Sequence, residues 1–315
     1  MINSIKTSVV ISLYNTEDYI EQTLLSITHQ TLHEIEIIVV NDGSTDNGPD
    51  IVQQIADTDS RIKLISQSNQ GLSAARNAGA EQSCGDYLYF MDSDDLLDED
   101  TLELCYNKCV ADNLDFVLFD AESFMDNNVC TDFRMDYHRA GYMEEKAYNG
   151  RQLLEYLISI KKYRASACLN FIKSSFYRNA SLSFYPGILH EDELCTALMY
   201  MEASRVGKID RAFFKRRIRD NSIMTKPFSD KNIDSYLKVA GELDKYGRKN
   251  GKEYRHTVRR VINYFINPAI YNSWRLSFSK RCSILWIVLT HYPCLIQPKN
   301  IIVLLFKSPL SKLVK

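Results

Sequence analysis

Short β-branched, apolar runs alternate with amphipathic segments through the first 120 residues, and few folds accept that alternation. Thr7-Ser8-Val9-Val10-Ile11-Ser12-Leu13-Tyr14 reads as a buried strand, because a strand covered on both faces has no need of polar alternation. A helix is predicted from about Glu17 to His29, with Ile20, Leu24 and Ile27 on one face. Further strands are predicted at residues 34–40, 62–65, 87–91 and 116–119, with helices near 48–58, 71–83 and 101–110. Ser44 or Thr45 is expected to cap the second helix, with Asp46 in its first turn. A strand–helix repeat of this length implies a mostly parallel α/β sheet flanked by helices.

Ligands of such sheets sit beyond the carboxyl ends of the strands. Three segments occupy those places: Tyr14 to Glu17, Asn41 to Asp46, and Asp92 to Asp95. All are polar or acidic. No G-x-x-x-x-G-K-[ST] and no G-x-G-x-x-G after the first strand occurs, so neither a P-loop nor a dinucleotide fingerprint is present. Any bound phosphate needs another source of neutralisation. Asp92 and Asp94, two apart at a strand end, offer hard oxygens to Mg²⁺ or Mn²⁺; an Asp-rich surface turn has the same composition. Asp42 suits a base or sugar contact, or a turn. Tyr14 suits stacking on a base, or a sheet edge. Arg76 can reach a phosphate or pair with the acidic cluster. His190-Glu191-Asp192-Glu193 opens an apolar helix, where crowded carboxylates can have raised pKa values and serve as a base, or can simply complement the helix dipole. Arg217 and Arg219 alternate in the basic run Arg216–Asp220 and can clamp a phosphate, though a solvated loop looks similar. His29 and His33 sit at a helix end and no H-E-x-x-H occurs, so zinc is not expected.

The net charge of −2 hides a division. Residues 1–204 carry 14 basic and 33 acidic side chains, whereas residues 205–315 carry 24 and 7. No Asp or Glu follows Glu253. The front suits metal and polar ligands, and the tail suits phosphates or an anionic surface. From about residue 230 the pattern is helical, and Pro268, Pro293, Pro298 and Pro309 are expected to cut it into short helices. Eight cysteines without a C-x-x-C pair read as reduced, buried thiols, with Cys105 and Cys109 on one helix face. The longest uncharged C-terminal stretch is broken by His291, Pro293 and Pro298, so no spanning helix is expected. No signal peptide is evident, and a cytoplasmic location is expected.

The ordered segments together resemble the inverting, family 2 type of glycosyltransferase with the GT-A fold, of the bacterial surface-polysaccharide kind. The resemblance rests on Val9 to Ile20, Ser26 to Thr31, Glu36 to Asp46, Asn69-Gln70-Gly71-Leu72-Ser73-Ala74-Ala75-Arg76-Asn77-Ala78-Gly79, Tyr89-Phe90-Met91-Asp92-Ser93-Asp94-Asp95, His190 to Glu193, and Arg217 to Ile223. It implies a GT-A domain over residues 1–225, with a nucleotide-sugar half at 1–120 and an acceptor half at 121–225. Residues 226–315 form a helical basic extension. Ser12, Tyr14, Glu17 and Asp42 fall where the family holds the nucleoside. Arg76 flanks base and diphosphate, Asp92 lies near ribose and metal, and Asp94 binds the divalent cation, Mg²⁺ or Mn²⁺. Asp192 matches the general base, with Glu191 beside it. Ser12 stands where Pro is common, and Asn41 where Asp is common.

The implied reaction moves a sugar from a nucleotide-diphosphate donor, UDP-linked for preference, to a hydroxyl of a glycan acceptor carried on a polyprenyl diphosphate. The basic tail, with Trp274 and Trp286, suits an anionic membrane surface at the cytoplasmic face of the inner membrane; a helical pack covering the sheet accounts for it too. A sugar nucleotidyltransferase lacks its Gly-rich basic loop here. A nucleic-acid-binding module leaves Asp92, Asp94 and Asp192 unexplained, so no nucleic acid is expected.

Overall fold

The computed structural model describes residues 4–126, 137–219, 226–293 and 295–306. The repeat opens as β1 (Thr7–Leu13), α1 (Glu17–Thr28), β2 (Ile35–Asp42), α2 (Gly48–Ala56), β3 (Ile62–Gln67), α3 (Leu72–Gln82) and β4 (Tyr87–Asp92). It continues through β5 (Leu96–Leu97), α4 (Thr101–Ala111), β6 (Phe116–Leu118), β7 (Ala121–Met125), α5 (Gly150–Ser159), β8 (Asn170–Lys173) and α6 (Ser174–Asn179). After α7 (Glu191–Glu202), β9 (Val206–Lys208) and β10 (Phe214–Ile218), the chain is helical: α8 (Asp230–Asn250), α9 (Lys252–Asn272), α10 (Phe278–His291) and α11 (Pro298–Phe306).

The main sheet has the order β3-β2-β1-β4-β8-β6-β9. Only β8 runs against the others. Apart from the edge strand β3, the strands are buried on both faces, which explains their continuous apolar runs. Val9, Ile11 and Leu13 enter one core with α1 and α4 residues, and Val10 enters the core on the opposite face. The predicted strand at 116–119 is present as β6, but β8 separates it from β4. Four residues of β8 are too few to show a period. Register sets the strand ends side by side: Leu13 opposes Asn41, and Ser12 opposes Asp92. A second sheet, β5-β10-β7, lays the Arg216–Arg217 stretch against the segment that leaves β4.

Two expectations are corrected. Ser44 and Thr45 do not cap α2. The Ser44 hydroxyl accepts from the Asn15 amide, and the Asp46 carboxylate accepts from the Gly48 amide instead. Pro268 does not divide the C-terminal helices: α9 runs through it to Asn272. Proline removes one backbone donor, but Phe265, Ile266, Ala269 and Ile270 flank it and are buried. The adjacent Asn267 side chain also ties α9 to α11, donating to the Leu295 carbonyl at 3.0 Å and accepting from Asn300 at 2.6 Å. Pro293 lies between α10 and α11 and Pro298 opens α11; Pro309 is outside the described residues.

The helical region shares a core with the sheet. Val10, Phe90 and Leu154 belong to the same buried cluster as Leu243, Val258, Ile266 and Leu304. Replacing Ile266 with Ala is therefore expected to cost about 2–4 kcal/mol and to lower one cooperative melting transition. Calorimetry checks this, and two separate transitions would contradict it.

Candidate active site

Arg76 lies at the centre of the site. It reaches there because α3 packs tightly on β1: a Cβ at Gly79 would stand 2.3 Å from Val10 Cγ1. One turn earlier, Arg76 is carried beneath the strand ends and is 2% exposed. Phe184 covers its guanidinium at 5.0 Å, held by two hydrogen bonds with the Asn77 side chain. Arg76 Nη2 donates to Asp92 at 2.8 Å, and Nη1 donates to Asp192 at 2.8 Å and Glu191 at 3.0 Å. Carboxylates 100 residues apart in sequence thus share one cation.

Three carboxylates around one guanidinium leave negative charge in excess. Burial would raise Asp92, but Arg76 and Arg216 outweigh it and hold that group below the ordinary carboxylate value. The remaining excess falls on α7. Burial and then the Asp192 charge push Glu191 up to about 7, against the pull of Arg76. Burial also raises Asp192, again opposed by Arg76. Both carboxylates of the Glu191–Asp192 pair are thus held above their ordinary values, a shift of the kind that suits a general base. Glu193, one position on, is raised by burial to about 8.

The basic run meets the acidic turn side chain by side chain. Arg219 Nε donates to Asp94 Oδ2 at 2.6 Å. Arg217 donates to the Asp94 carbonyl and to Gln22, and lies between the rings of Tyr19 and Phe124 at 4.9 and 4.7 Å. Its guanidinium is turned toward the protein, so its place is structural. Arg216, which the alternation argument passed over, faces Asp92 at 3.5 Å and Asp95 at 3.9 Å. Burial and the Asp94 charge raise Asp95, whose carboxylate accepts from the Arg217 amide. Asp220 to Ile223 of the motif lie outside the described residues.

At the neighbouring strand end, Asp42 is buried. Its Oδ1 accepts from Gln67 and the Gln70 amide, and its Oδ2 from the Gly71 amide. These bonds shape the β3–α3 loop and leave Oδ2 able to accept once more. Tyr14 is 49% exposed. The Ser12 hydroxyl is buried without a protein partner. Glu17 accepts from both the backbone and the side-chain amide of Asn47, so it ties the β1–α1 loop to the start of α2.

Helix α8 holds the turn that aims the α7 carboxylates, a role the motifs do not show. His190 takes a left-handed φ of 62°, immediately before Glu191. Its ring stacks on Tyr236 at 4.1 Å and lies 3.1 Å from Asn232 Nδ2. The Leu189 amide donates to Ser235 Oγ. Burial lowers His190 to about 4, so the ring is neutral near pH 7 and the clamp is uncharged.

Asp94 is the carboxylate that would hold a divalent cation, and the ion would share it with Arg219, which donates to Oδ2 at 2.6 Å. Among the described residues no three His, Cys, Asp or Glu side chains form a metal cage. Ions that bridge diphosphate need only one or two carboxylates, because phosphates and waters complete the shell. Asp94 supplies such a carboxylate, one-fifth exposed, and Arg219 already sets a positive charge against it.

The fold and these strand ends define a GT-A architecture. Residues 8–167 match the profile of the family described as Glycosyl transferase family 2, and the chain belongs to that family. It is 31% identical over 280 residues to the putative glycosyltransferase EpsH of Bacillus subtilis, covering 87% of this chain and 79% of that one. It is 32% identical over 225 residues to the glycosyltransferase GlyA of Streptococcus pneumoniae, covering 69% of this chain but only 31% of GlyA. Among solved structures, Staphylococcus aureus TarS 1–349 in complex with UDP superposes with a TM-score of 0.70 at 20% identity, covering 96% and 86% of the two chains. The mannosyltransferase PcManGT of Pyrobaculum calidifontis, in complex with GDP-Man and Mn²⁺, superposes at 0.60 and 14% identity, covering 98% and 87%. At these identities the likeness shows the fold.

Tyr236→Ala is expected to lower the turnover of sugar transfer about tenfold, with the donor KM little changed, because the clamp aims the α7 carboxylates and makes no part of the strand-end crevice. Tyr236→Phe keeps the stack and should keep turnover. Steady-state kinetics on both variants checks this; equal loss in both would contradict a positioning role.

Proposed function

We propose that this chain is an inverting glycosyltransferase that moves a sugar from a nucleoside diphosphate, UDP for preference, to a hydroxyl of a glycan acceptor. The observation that carries this reading is Arg76, which joins a strand-end carboxylate of the donor side to the base pair on α7.

Asp42 Oδ2 accepts from the base, Tyr14 stacks on it, and Ser12 lies beside it. Asp92 meets the ribose. Asp94 would hold a divalent cation, which when bound neutralises charge on the leaving diphosphate. Arg219 supplies positive charge at the same place. Asp192 takes the proton of the acceptor hydroxyl as its oxygen attacks the anomeric carbon. The bond from that carbon to the diphosphate oxygen breaks, and the electron pair leaves with the nucleotide. One displacement from the opposite face inverts the centre, through a transition state with oxocarbenium character. Glu191, raised to about 7, stands beside Asp192 as the second member of that pair on α7.

Residues 1–120 form the nucleotide-sugar half of the transferase domain and residues 121–225 its acceptor half, with residues 226–315 as the helical extension. The acceptor is a glycan carried on a polyprenyl diphosphate, and the product belongs to a cell-surface polysaccharide. The enzyme works at the cytoplasmic face of the membrane. The basic composition of the extension supports this placement.

Asp192→Asn should abolish transfer, about 10³-fold or more, while UDP affinity stays within about threefold of the wild type. Asp94→Ala should abolish transfer and also the divalent-ion dependence of UDP binding. A panel of nucleotide sugars, scored by transfer and by calorimetric binding, checks both. Wild-type turnover in Asp192→Asn would remove that residue from the mechanism.

A further inference from the structure

Helices α10 and α11 leave an apolar surface uncovered. On α10, Phe278, Trp286 and Leu289 fall on one helix face and are 66%, 66% and 49% exposed. Ile284 and Val288 on the opposite face are buried in the core. On α11, Ile302, Leu305 and Phe306 are exposed, Phe306 to 71%, while Val303 and Leu304 are buried. The two helices pack on each other, and Arg281 of α10 donates to the Leu304 carbonyl of α11. Isolated exposed apolar residues are ordinary, but six on two packed helices form a patch of the kind that marks an interaction surface.

We infer that this patch is a docking surface for an anionic lipid bilayer. Charge identifies the occupant. No Asp or Glu occurs after Glu253, whereas Arg255, Arg259, Arg275 and Lys299 are exposed and Lys307, Lys312 and Lys315 follow in the sequence. Arg275 and Lys299 stand at the starts of the two helices, and Lys280 of α10 is paired with Asp234 of α8; large apolar side chains on so basic a segment match an interface of acyl chains beneath anionic headgroups. A second copy meeting the same face would bring like charge against like charge. No helix of the described residues is long and apolar enough to cross a membrane, so the attachment is to one leaflet. This inference deepens the proposed reading of a lipid-carried acceptor and rests on it: the core shared by α9, α11 and the sheet fixes the active site relative to the docked surface.

The test uses the full chain with Trp274→Phe, which leaves Trp286 as the one tryptophan of the two in the sequence. Phosphatidylcholine vesicles with phosphatidylglycerol should sediment the protein and shift Trp286 emission to the blue. Vesicles of phosphatidylcholine alone, or high salt, should do so far less. Phe278→Ser/Leu289→Ser/Phe306→Ser should lower the bound fraction roughly tenfold or more, while donor hydrolysis without vesicles is unchanged. Binding that survives this variant, or no binding by the parent, overturns the inference. Trp286 emission already blue-shifted without vesicles also overturns it. The occupant is then a second copy if dilution reverses the shift, and residues 307–315 if it does not. Donor hydrolysis reads the transferase proposal separately: its absence sinks that reading, whereas its presence without vesicle binding sinks only the docking surface.

Discussion

The site depends on one buried guanidinium. Arg76 stays charged in the interior because three carboxylates meet it, and they stay together because it lies between them. Removing one member of such a buried group leaves uncompensated charge, typically at a cost of about 3–5 kcal/mol. The imbalance of charge has a chemical result. Asp92, with a second arginine beside it, is held ionised, and the pair on α7 is pushed toward neutrality. One cation thereby stands between a carboxylate held below its ordinary pKa and a pair held above it.

The surrounding structure keeps that arrangement in place from several directions. Gly79 lets α3 approach β1, Asn77 fixes Phe184 over the guanidinium, and the β10 arginines neutralise the turn beyond β4. The C-terminal helices add the clamp on His190. Residues far beyond the family match, which ends at residue 167, thus shape the turn before α7. The helices that hold the turn are also continuous with the surface proposed to meet lipid, so attachment and chemistry are built on one core.

Much of the first half was legible in the residues. Buried parallel strands write themselves as runs such as Val9–Leu13 and Ile37–Val40, and strand-end carboxylates follow from the topology rule. That is why Asp42 can be placed at the end of β2, and Asp92 and Asp94 at the end of β4, on either side of β1. Other features were not legible, for physical reasons. β8 is too short to show a period. Arg217 and Arg219 share the Tyr19 ring, as strand alternation implies, but Phe124 and the Asp94 carbonyl also hold the Arg217 guanidinium, and Arg216, on the alternate face, meets Asp92 and Asp95. Pro268 reads as a helix break only when the packing that carries α9 past it is unknown. The Ser235–Tyr236 clamp has no local signature, since it joins helices through contacts some 46 residues apart.

The most direct measurement of the central claim is the pH dependence of kcat/KM for sugar transfer in the wild type and in Arg76→Met. The base must be deprotonated, so the wild-type rate rises with pH along an acid limb. Arg76 pulls the Glu191–Asp192 pair downward, so its removal should move that limb to higher pH by about one unit or more. An acid limb that stays in place in a folded, UDP-binding variant would contradict the account.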